Sequence, residues 1–275
     1  MPAEAERPIA VFDSGVGGLS VLRHIRAQMP RESLLYLADQ AHVPYGARTL
    51  AEIRHFSEAI TRFFLEQKAK IIVIACNTAS AAALNQLRLA FPNVPFVGTE
   101  PAVKPAAAQT RSGKVGVLAT ASTFQSERYT DLMARFAHGV TVLEDPCLGL
   151  VEQIEAGATT SVETERLLRV CLEPMLVAGV DTLVLGCTHY PFVTPLIERI
   201  AGTAVTIIDP APAVARQTER VLQQYHLLAS GGQQSRIRVL TSGNAPTLAR
   251  LSRQLLGFRG QVEKVVWQDG LLVAA

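Results

Sequence analysis

Two apolar runs in this chain end in the same way, and that recurrence constrains what it can fold into. Ile71-Ile72-Val73-Ile74-Ala75 leads into Cys76-Asn77-Thr78-Ala79, and Leu183-Val184-Leu185-Gly186 leads into Cys187-Thr188-His189-Tyr190-Pro191. Four consecutive β-branched residues read as a strand buried on both faces, the kind that parallel sheets use. The small polar residues and alanines after Cys76 read as the start of a helix, so each run is expected to deliver a thiol from a strand to a helix. A parallel strand presents its last residues at the carboxyl edge of the sheet, where open α/β folds place ligands. The helix that follows opens with unpaired N–H groups and a partial positive charge. Both thiols are therefore expected to be drawn towards the thiolate.

The rest of the chain repeats this strand-to-helix alternation. Strands are expected over 9–12, 34–37, 71–74, 95–98, 115–118, 140–143, 183–185 and 205–208, then over 237–240 and 262–267. Helices are expected between them, among them one over 50–67, whose Ile53, Phe56, Ile60, Phe63 and Phe64 recur at helical intervals. Others are expected over 123–136, 162–177 and 192–200, with one reaching about Leu228 and one over 248–256. A Gly/Ser/Gln loop is read at 230–235, and the Pro/Ala-containing segment 101–109 is left unassigned. Regular alternation argues for an α/β protein with mainly parallel sheets flanked by helices. The two cysteine motifs, each inside its own series of about four strands, divide it into two similar halves. The expected domains are residues 1–99 with 210–275, and residues 100–209, an arrangement in which the carboxyl edges of the two sheets can face each other.

Composition narrows the function classes. With 275 residues, 48% hydrophobic and 18% charged, the chain supports a substantial core. Its net charge is +2 and its basic residues are not gathered into blocks, so nucleic acid is not an expected partner. No uninterrupted apolar stretch reaches the length of a membrane span. The leader Met1-Pro2-Ala3-Glu4-Ala5-Glu6-Arg7 carries acids where a signal peptide needs bases, which reads as a cytoplasmic protein. Cys76, Cys147, Cys171 and Cys187 are then expected to stay reduced. There is no CxxC pair, and no metal site is expected. Cys171 falls within an amphipathic helix and reads as core, while Cys147 lies in a loop without an assigned role.

A lone buried cysteine is ordinarily a small hydrophobe. Here, Asn77 and Thr78 beside one thiol, and Thr188 and His189 beside the other, form sets of polar groups that no helix start requires. Backbone N–H groups flanked by hydroxyls make a cradle for a carboxylate. Asp13 and Ser14 stand at the end of the first strand, as helix caps or as polar groups beside a thiol. His189 reads as a thiol partner, a substrate ligand or a cap, with the catalytic pairing preferred. The Pro44-Tyr45-Gly46 loop follows another strand end. Two acid–base groups on opposite faces of one carbon, one a thiolate and the other a thiol, invert a stereocentre with no cofactor required.

Val11-Phe12-Asp13-Ser14-Gly15-Val16-Gly17-Gly18-Leu19, Pro44-Tyr45-Gly46, Ala75-Cys76-Asn77-Thr78-Ala79 and Gly186-Cys187-Thr188-His189-Tyr190-Pro191 together resemble the glutamate racemase family, in that order and over essentially the whole chain. The resemblance implies a cofactor-independent racemase that supplies D-glutamate for peptidoglycan, with two pseudo-symmetric α/β domains and the site in the cleft between them. It implies Cys76 and Cys187 as the acid–base pair, acting on the D- and L-enantiomers respectively. Asp13 assists on the Cys76 side, and His189 with Glu155 on the Cys187 side, with Glu152 a neighbouring competitor for the role of Glu155. Asp13, Ser14, Tyr45, Gly46, Asn77, Thr78, Thr188 and His189 become contacts of L-/D-glutamate. A homodimer is compatible with the resemblance, and some members act on DNA gyrase; neither composition nor motif addresses these.

Two rivals come from other classes. Gly15-Val16-Gly17-Gly18-Leu19-Ser20 approximates a dinucleotide-binding turn, with Asp39 about 20 residues on as a ribose ligand. That reading makes a nicotinamide-dependent oxidoreductase, against which stand Ser20 in the last position of the turn and the charge of Asp13 near a pyrophosphate. The other rival is a non-catalytic binding protein.

Overall fold

The computed structural model describes residues 4–230 and 234–275, so positions 231–233 of the expected Gly/Ser/Gln loop and the first three residues of the leader lie outside the described residues. The chain forms two compact units, Met1–Thr99 with Ala211–Ala275, and Glu100–Pro210. In chain order, the first unit begins with β1 (Ile9–Asp13), α1 (Leu19–Gln28), β2 (Leu34–Ala38), α2 (Leu50–Glu66), β3 (Ile71–Ile74), α3 (Asn77–Ala90) and β4 (Phe96–Gly98). The second unit contains α4 (Val103–Gln109), β5 (Lys114–Leu118), α5 (Ala121–Phe124), α6 (Glu127–Phe136), β6 (Thr141–Asp145) and α7 (Leu150–Glu155). It ends with α8 (Val162–Val177), β7 (Thr182–Leu185), α9 (Thr194–Ala201) and β8 (Thr206–Ile208). The chain then returns to the first unit with α10 (Ala211–Gln224), β9 (Ile237–Thr241), α11 (Ala245–Leu256), β10 (Val262–Gln268) and β11 (Leu271–Ala274).

The sheet of the first unit has the order β11-β10-β9-β2-β1-β3-β4, and that of the second β6-β5-β7-β8. All pairs are parallel except β10 with β11. The first four strands of the chain thus lie in the order β2-β1-β3-β4, and the four of the second unit repeat that order as β6-β5-β7-β8. In each, the strand that ends at the cysteine motif, β3 or β7, adjoins the strand where the winding reverses, β1 or β5. That reversal opens a crevice at the carboxyl ends of the strands.

The strands β1, β2, β3 and β7 are buried along their whole length, as their unbroken apolar sequences require. One face of the larger sheet packs Phe12, Leu37, Ile74 and Leu240 against Ile53, Phe56, Ile60, Phe63 and Phe64 of α2. That helix begins with a capping box, in which the Thr49 side chain accepts from the Glu52 amide and the Glu52 side chain accepts from the Thr49 amide. In the second unit Val115, Val117 and Val184 pack with Val103, Ala106, Tyr129 and Leu132.

Several expectations need correction. The helix expected over 123–136 is two, because Ser126 turns extended and its hydroxyl accepts from the Tyr129 amide, capping α6. The helix expected over 192–200 is a 3-10 turn at Tyr190–Val193 followed by α9, since Pro191 and Pro195 each lack the N–H that a continuous α-helix needs. The helix expected to reach Leu228 ends at Gln224, where His226 takes φ 56° and the Leu227 amide closes on the Leu222 carbonyl. Segments 103–109 and 150–155 are helical. Alternation also fails at the end of the chain, where Asp269 (φ 50°) and Gly270 (φ 77°) form a two-residue hairpin turn and β11 folds back on β10.

A buried ion pair fastens the amino edge of the larger sheet. Lys70 Nζ, fully buried, donates to Glu32 Oε2 at 2.5 Å and to the carbonyls of Ala5 and Leu227, while Glu32 Oε1 accepts from the Ala229 amide at 2.8 Å. Removing one partner leaves the other charge buried and unmatched. Lys70→Met is therefore expected to lower stability by about 3–5 kcal/mol, read from the midpoint of urea unfolding. Lys70→Met/Glu32→Leu should recover much of the loss.

Candidate active site

In the first unit three strand ends converge. β3 stops at Ile74, whose carbonyl accepts from both Ser80 Oγ and Thr99 Oγ1 at 3.0 Å. This pins the short link through Ala75 to Cys76. Cys76 is the N-cap residue of α3, and its sulfur accepts from the Ala79 amide at 3.4 Å, where a serine or aspartate oxygen commonly sits. The thiol also lies 3.9 Å from Ser14 Oγ. Asn77 and Thr78 follow as the first residues of α3, both buried.

Asn77 has a buried side-chain amide whose nitrogen and oxygen both lack a hydrogen-bond partner among the described residues. Leaving two such atoms unmatched costs about 1–3 kcal/mol each. Such a group beside a strand-end thiol is one a bound polar molecule can satisfy.

The turn after β1 is held from below. Asp13 Oδ1 accepts from the Gly15 amide at 2.9 Å, and the Tyr36 hydroxyl donates to the Gly15 carbonyl at 2.6 Å. Neither Asp13 nor Ser14 caps α1; the N-cap is Gly18, with no side-chain cap bond. A Cβ at Gly18 would stand 2.6 Å from the Asp13 Cβ, so the bare backbone there is what leaves Asp13 its place.

The Tyr45 loop is anchored by Asp39, which is fully buried. Asp39 Oδ2 accepts from the Tyr45 hydroxyl at 2.7 Å and meets His42 Nδ1 at 2.9 Å, while Oδ1 accepts from Ser242 Oγ at 2.6 Å and Trp267 Nε1 at 2.8 Å. Burial, followed by the neighbouring Asp39, holds the Tyr45 phenol well above its ordinary pKa. Tyr45 is thus a neutral donor committed to Asp39, and Gly46 follows it in a 3-10 turn. The same bonds remove the basis of the dinucleotide reading, since the acid required to meet a ribose has both oxygens engaged inside the protein.

The second unit builds a different arrangement around its cysteine. β7 ends at Leu185, and Gly186 lets the chain pass close to β5: a Cβ there would be 2.8 Å from the Leu118 carbonyl and the Ala119 Cβ. Cys187 is followed by a turn and then the 3-10 segment, so, unlike Cys76, it does not cap an α-helix. Its company is a histidine. Cys187 Sγ lies 3.6 Å from His189 Nδ1, and His189 Nε2 lies 2.6 Å from Glu155 Oε1 of α7. Thr188 and His189 are buried, and His189 makes no side-chain cap bond. Glu152, its competitor by sequence, is exposed. Burial opposes the imidazolium, but hydrogen bonds to Cys187 and Glu155 outweigh it and hold the His189 pKa well above its ordinary 6.5.

Cys147, at φ 45°, is buried against Cys171. Its hydrogen bond with Cys171, then burial, raise its pKa well above the ordinary thiol value, which keeps it protonated. Asp145, Cys147 and Cys171 bring potential ligand atoms within 4.8 Å of one another, but Asp145 already accepts from the Cys147 amide at 2.7 Å, and the protonated Cys147 thiol does not favour a cation. Ser80, Thr99, Tyr36, Asp39, Ser242 and Trp267 are the positioning residues that sequence reading missed. Asp39 alone carried a signal, as an acid closing a strand.

The Asp/Glu/Hydantoin racemase family matches residues 15–218. The chain belongs to that family. Within it, the chain stands with the glutamate racemases, which are isomerases: it is 54% identical over 258 residues to the glutamate racemase of Pseudomonas aeruginosa, covering 94% of this chain and 97% of that protein. Among solved structures it is similar to Escherichia coli glutamate racemase in complex with L-glutamate and the activator UDP-MurNAc-ala, with TM-score 0.83 and 33% identity over 94% of this chain and 98% of the other. Glutamate racemase from Francisella tularensis in complex with D-glutamate gives TM-score 0.83 and 28% identity over 96% and 98%. Among the described residues no helix is long and apolar enough to cross a membrane.

The His189–Glu155 bond in this racemase has a measurable signature. A raised histidine pKa adds stability that is complete below the unfolded value near 6.5 and is lost as pH rises through the folded value. Glu155→Gln removes one of the two raising partners. The His189 ring signals in 15N-resolved NMR are expected to titrate at lower pH in that variant than in the parent chain.

Proposed function

We propose that the protein interconverts L- and D-glutamate by proton transfer between Cα and the two thiols Cys76 and Cys187, and that the D-glutamate supplies peptidoglycan synthesis in the cytoplasm. Inversion by two bases requires one on each face of the carbon, and each unit contributes one. In the D-to-L direction the Cys76 thiolate takes the Cα proton, the electron pair moves towards the α-carboxylate, and the Cys187 thiol returns a proton from the opposite side. The reverse reaction exchanges the roles. The charge developing on the carboxylate is met by N–H groups at the start of α3 with Ser14, Asn77 and Thr78, donors already in place before reaction. Asp13 orients the ammonium group, and Tyr45, Gly46 and Thr188 complete the contacts. His189, kept protonated by Glu155, stabilises the Cys187 thiolate.

The observation that carries this reading is the Asn77 amide, buried with both polar atoms unmatched directly after a strand-end thiol. The complexes of the two similar glutamate racemases with L- and D-glutamate support the choice of substrate.

The test is to incubate purified protein in D2O with D- or L-glutamate and no added cofactor, following optical rotation and deuterium at Cα, with D- and L-aspartate as controls. Loss of rotation with deuterium entering glutamate is the expected result. Cys76→Ser and Cys187→Ser should each slow inversion by about a thousandfold, within the range for loss of a general acid–base group, while glutamate binding persists. Full activity in Cys76→Ser would end the two-thiol reading. Asn77→Ala is expected to raise KM about tenfold, the loss of one to two hydrogen bonds to a charged ligand.

A further inference from the structure

A pocket lies in the first unit, away from Cys76. A cavity of about 610 Å³ opens between α1, the first half of β9 and the last turns of α11. Ser235 and Ile237 on its wall place it towards the amino edge of the sheet, whereas Cys76 follows the carboxyl end of β3. Leu22, Val239 and Phe258 make its surface apolar, while Arg23 and Arg26 line it from α1. Their three-residue spacing puts both guanidinium groups on one side of the helix. Among the described residues neither has an ion-pair partner. The one acid on the wall, Glu32, is already matched by Lys70, so the two arginine charges stand uncompensated.

The wall also holds an unpartnered hydroxyl. Ser252 of α11 is fully buried and lines the cavity, yet its Oγ has no hydrogen-bond partner among the described residues. A serine inside a helix commonly returns its hydroxyl to the carbonyl one turn back. The backbone carbonyl of Ser252 is itself used, accepting from the Phe258 amide at 3.2 Å as the chain leaves the helix through Gly257. That bond holds Phe258 against the cavity.

We propose that this cavity is a binding site for a small phosphate monoester carried on an apolar body. Two unmatched guanidinium groups suit a dianion, and their planar forks suit its oxygens. The apolar walls take the organic part, and the volume lies in the range of small-molecule sites. No residue of this site belongs to either thiol constellation, so its occupancy can be tested whether or not the glutamate reading holds.

The test titrates the full chain with 1-naphthyl phosphate by calorimetry, with inorganic phosphate and 1-naphthol as separate arms. Naphthyl phosphate should bind once per chain, and each fragment at least about tenfold more weakly, since each keeps only half of the recognition. The exposed double substitution Arg23→Gln/Arg26→Gln should weaken naphthyl phosphate by about tenfold or more with an unchanged thermal melting curve. No binding at millimolar probe, equal binding of inorganic phosphate, or undiminished binding by the double variant would each overturn the proposal.

Discussion

A carboxylate sealed from water must have its oxygens met by donors, and Asp39 imposes that requirement on much of the first unit. Its partners come from the Tyr45 loop and from the two segments that follow β9 and include β10, so one side chain joins residues more than two hundred positions apart. The Tyr45 loop has little regular structure of its own. What fixes it beside the Cys76 turn is the need to satisfy Asp39, reinforced by the His42 ring stacked on Phe56 at 3.8 Å. The return of the chain to the first unit after residue 210 is therefore more than added strands, because it supplies half of this anchorage.

The two thiols occupy corresponding places in two copies of one winding, yet their surroundings differ. Cys76 is placed by backbone: a pinned strand end, a helix start and a nearby hydroxyl. Cys187 is placed by side chains, with His189 and Glu155 in line behind it. A repeated strand order fixes where a strand ends, and the residues that follow decide what charge the thiol meets there.

The parts of this arrangement legible in the sequence were those that depend on local pattern. Runs such as Ile71–Ile74 announced buried strands, the spacing of Ile53, Phe56, Ile60, Phe63 and Phe64 announced a helix face, and the polar residues beside Cys76 and Cys187 marked strand ends where buried polar side chains gather. What depended on contacts between distant segments was hidden. Asp39 looked like a ribose ligand because nothing near it in the sequence shows that Trp267 and Ser242 will reach it. Ser126 looked like one more helical position because a cap and an interior serine differ only in the backbone they adopt. The Asp269–Gly270 pair did carry a hairpin signal, but the alternation before it favoured ending the fold on a single strand.

The unlike company of the two thiols has a consequence for kinetics. Mirror-image substrates have equal free energies in water, so a racemase must have the same kcat/KM for both, however different its two halves. Under the proposed two-thiol reading, the helix start at Cys76 and the imidazolium beside Cys187 therefore cannot favour one enantiomer overall. Their difference can be expressed only in how each direction divides that shared ratio between turnover and binding, so that the enantiomer held more tightly is also the one turned over more slowly.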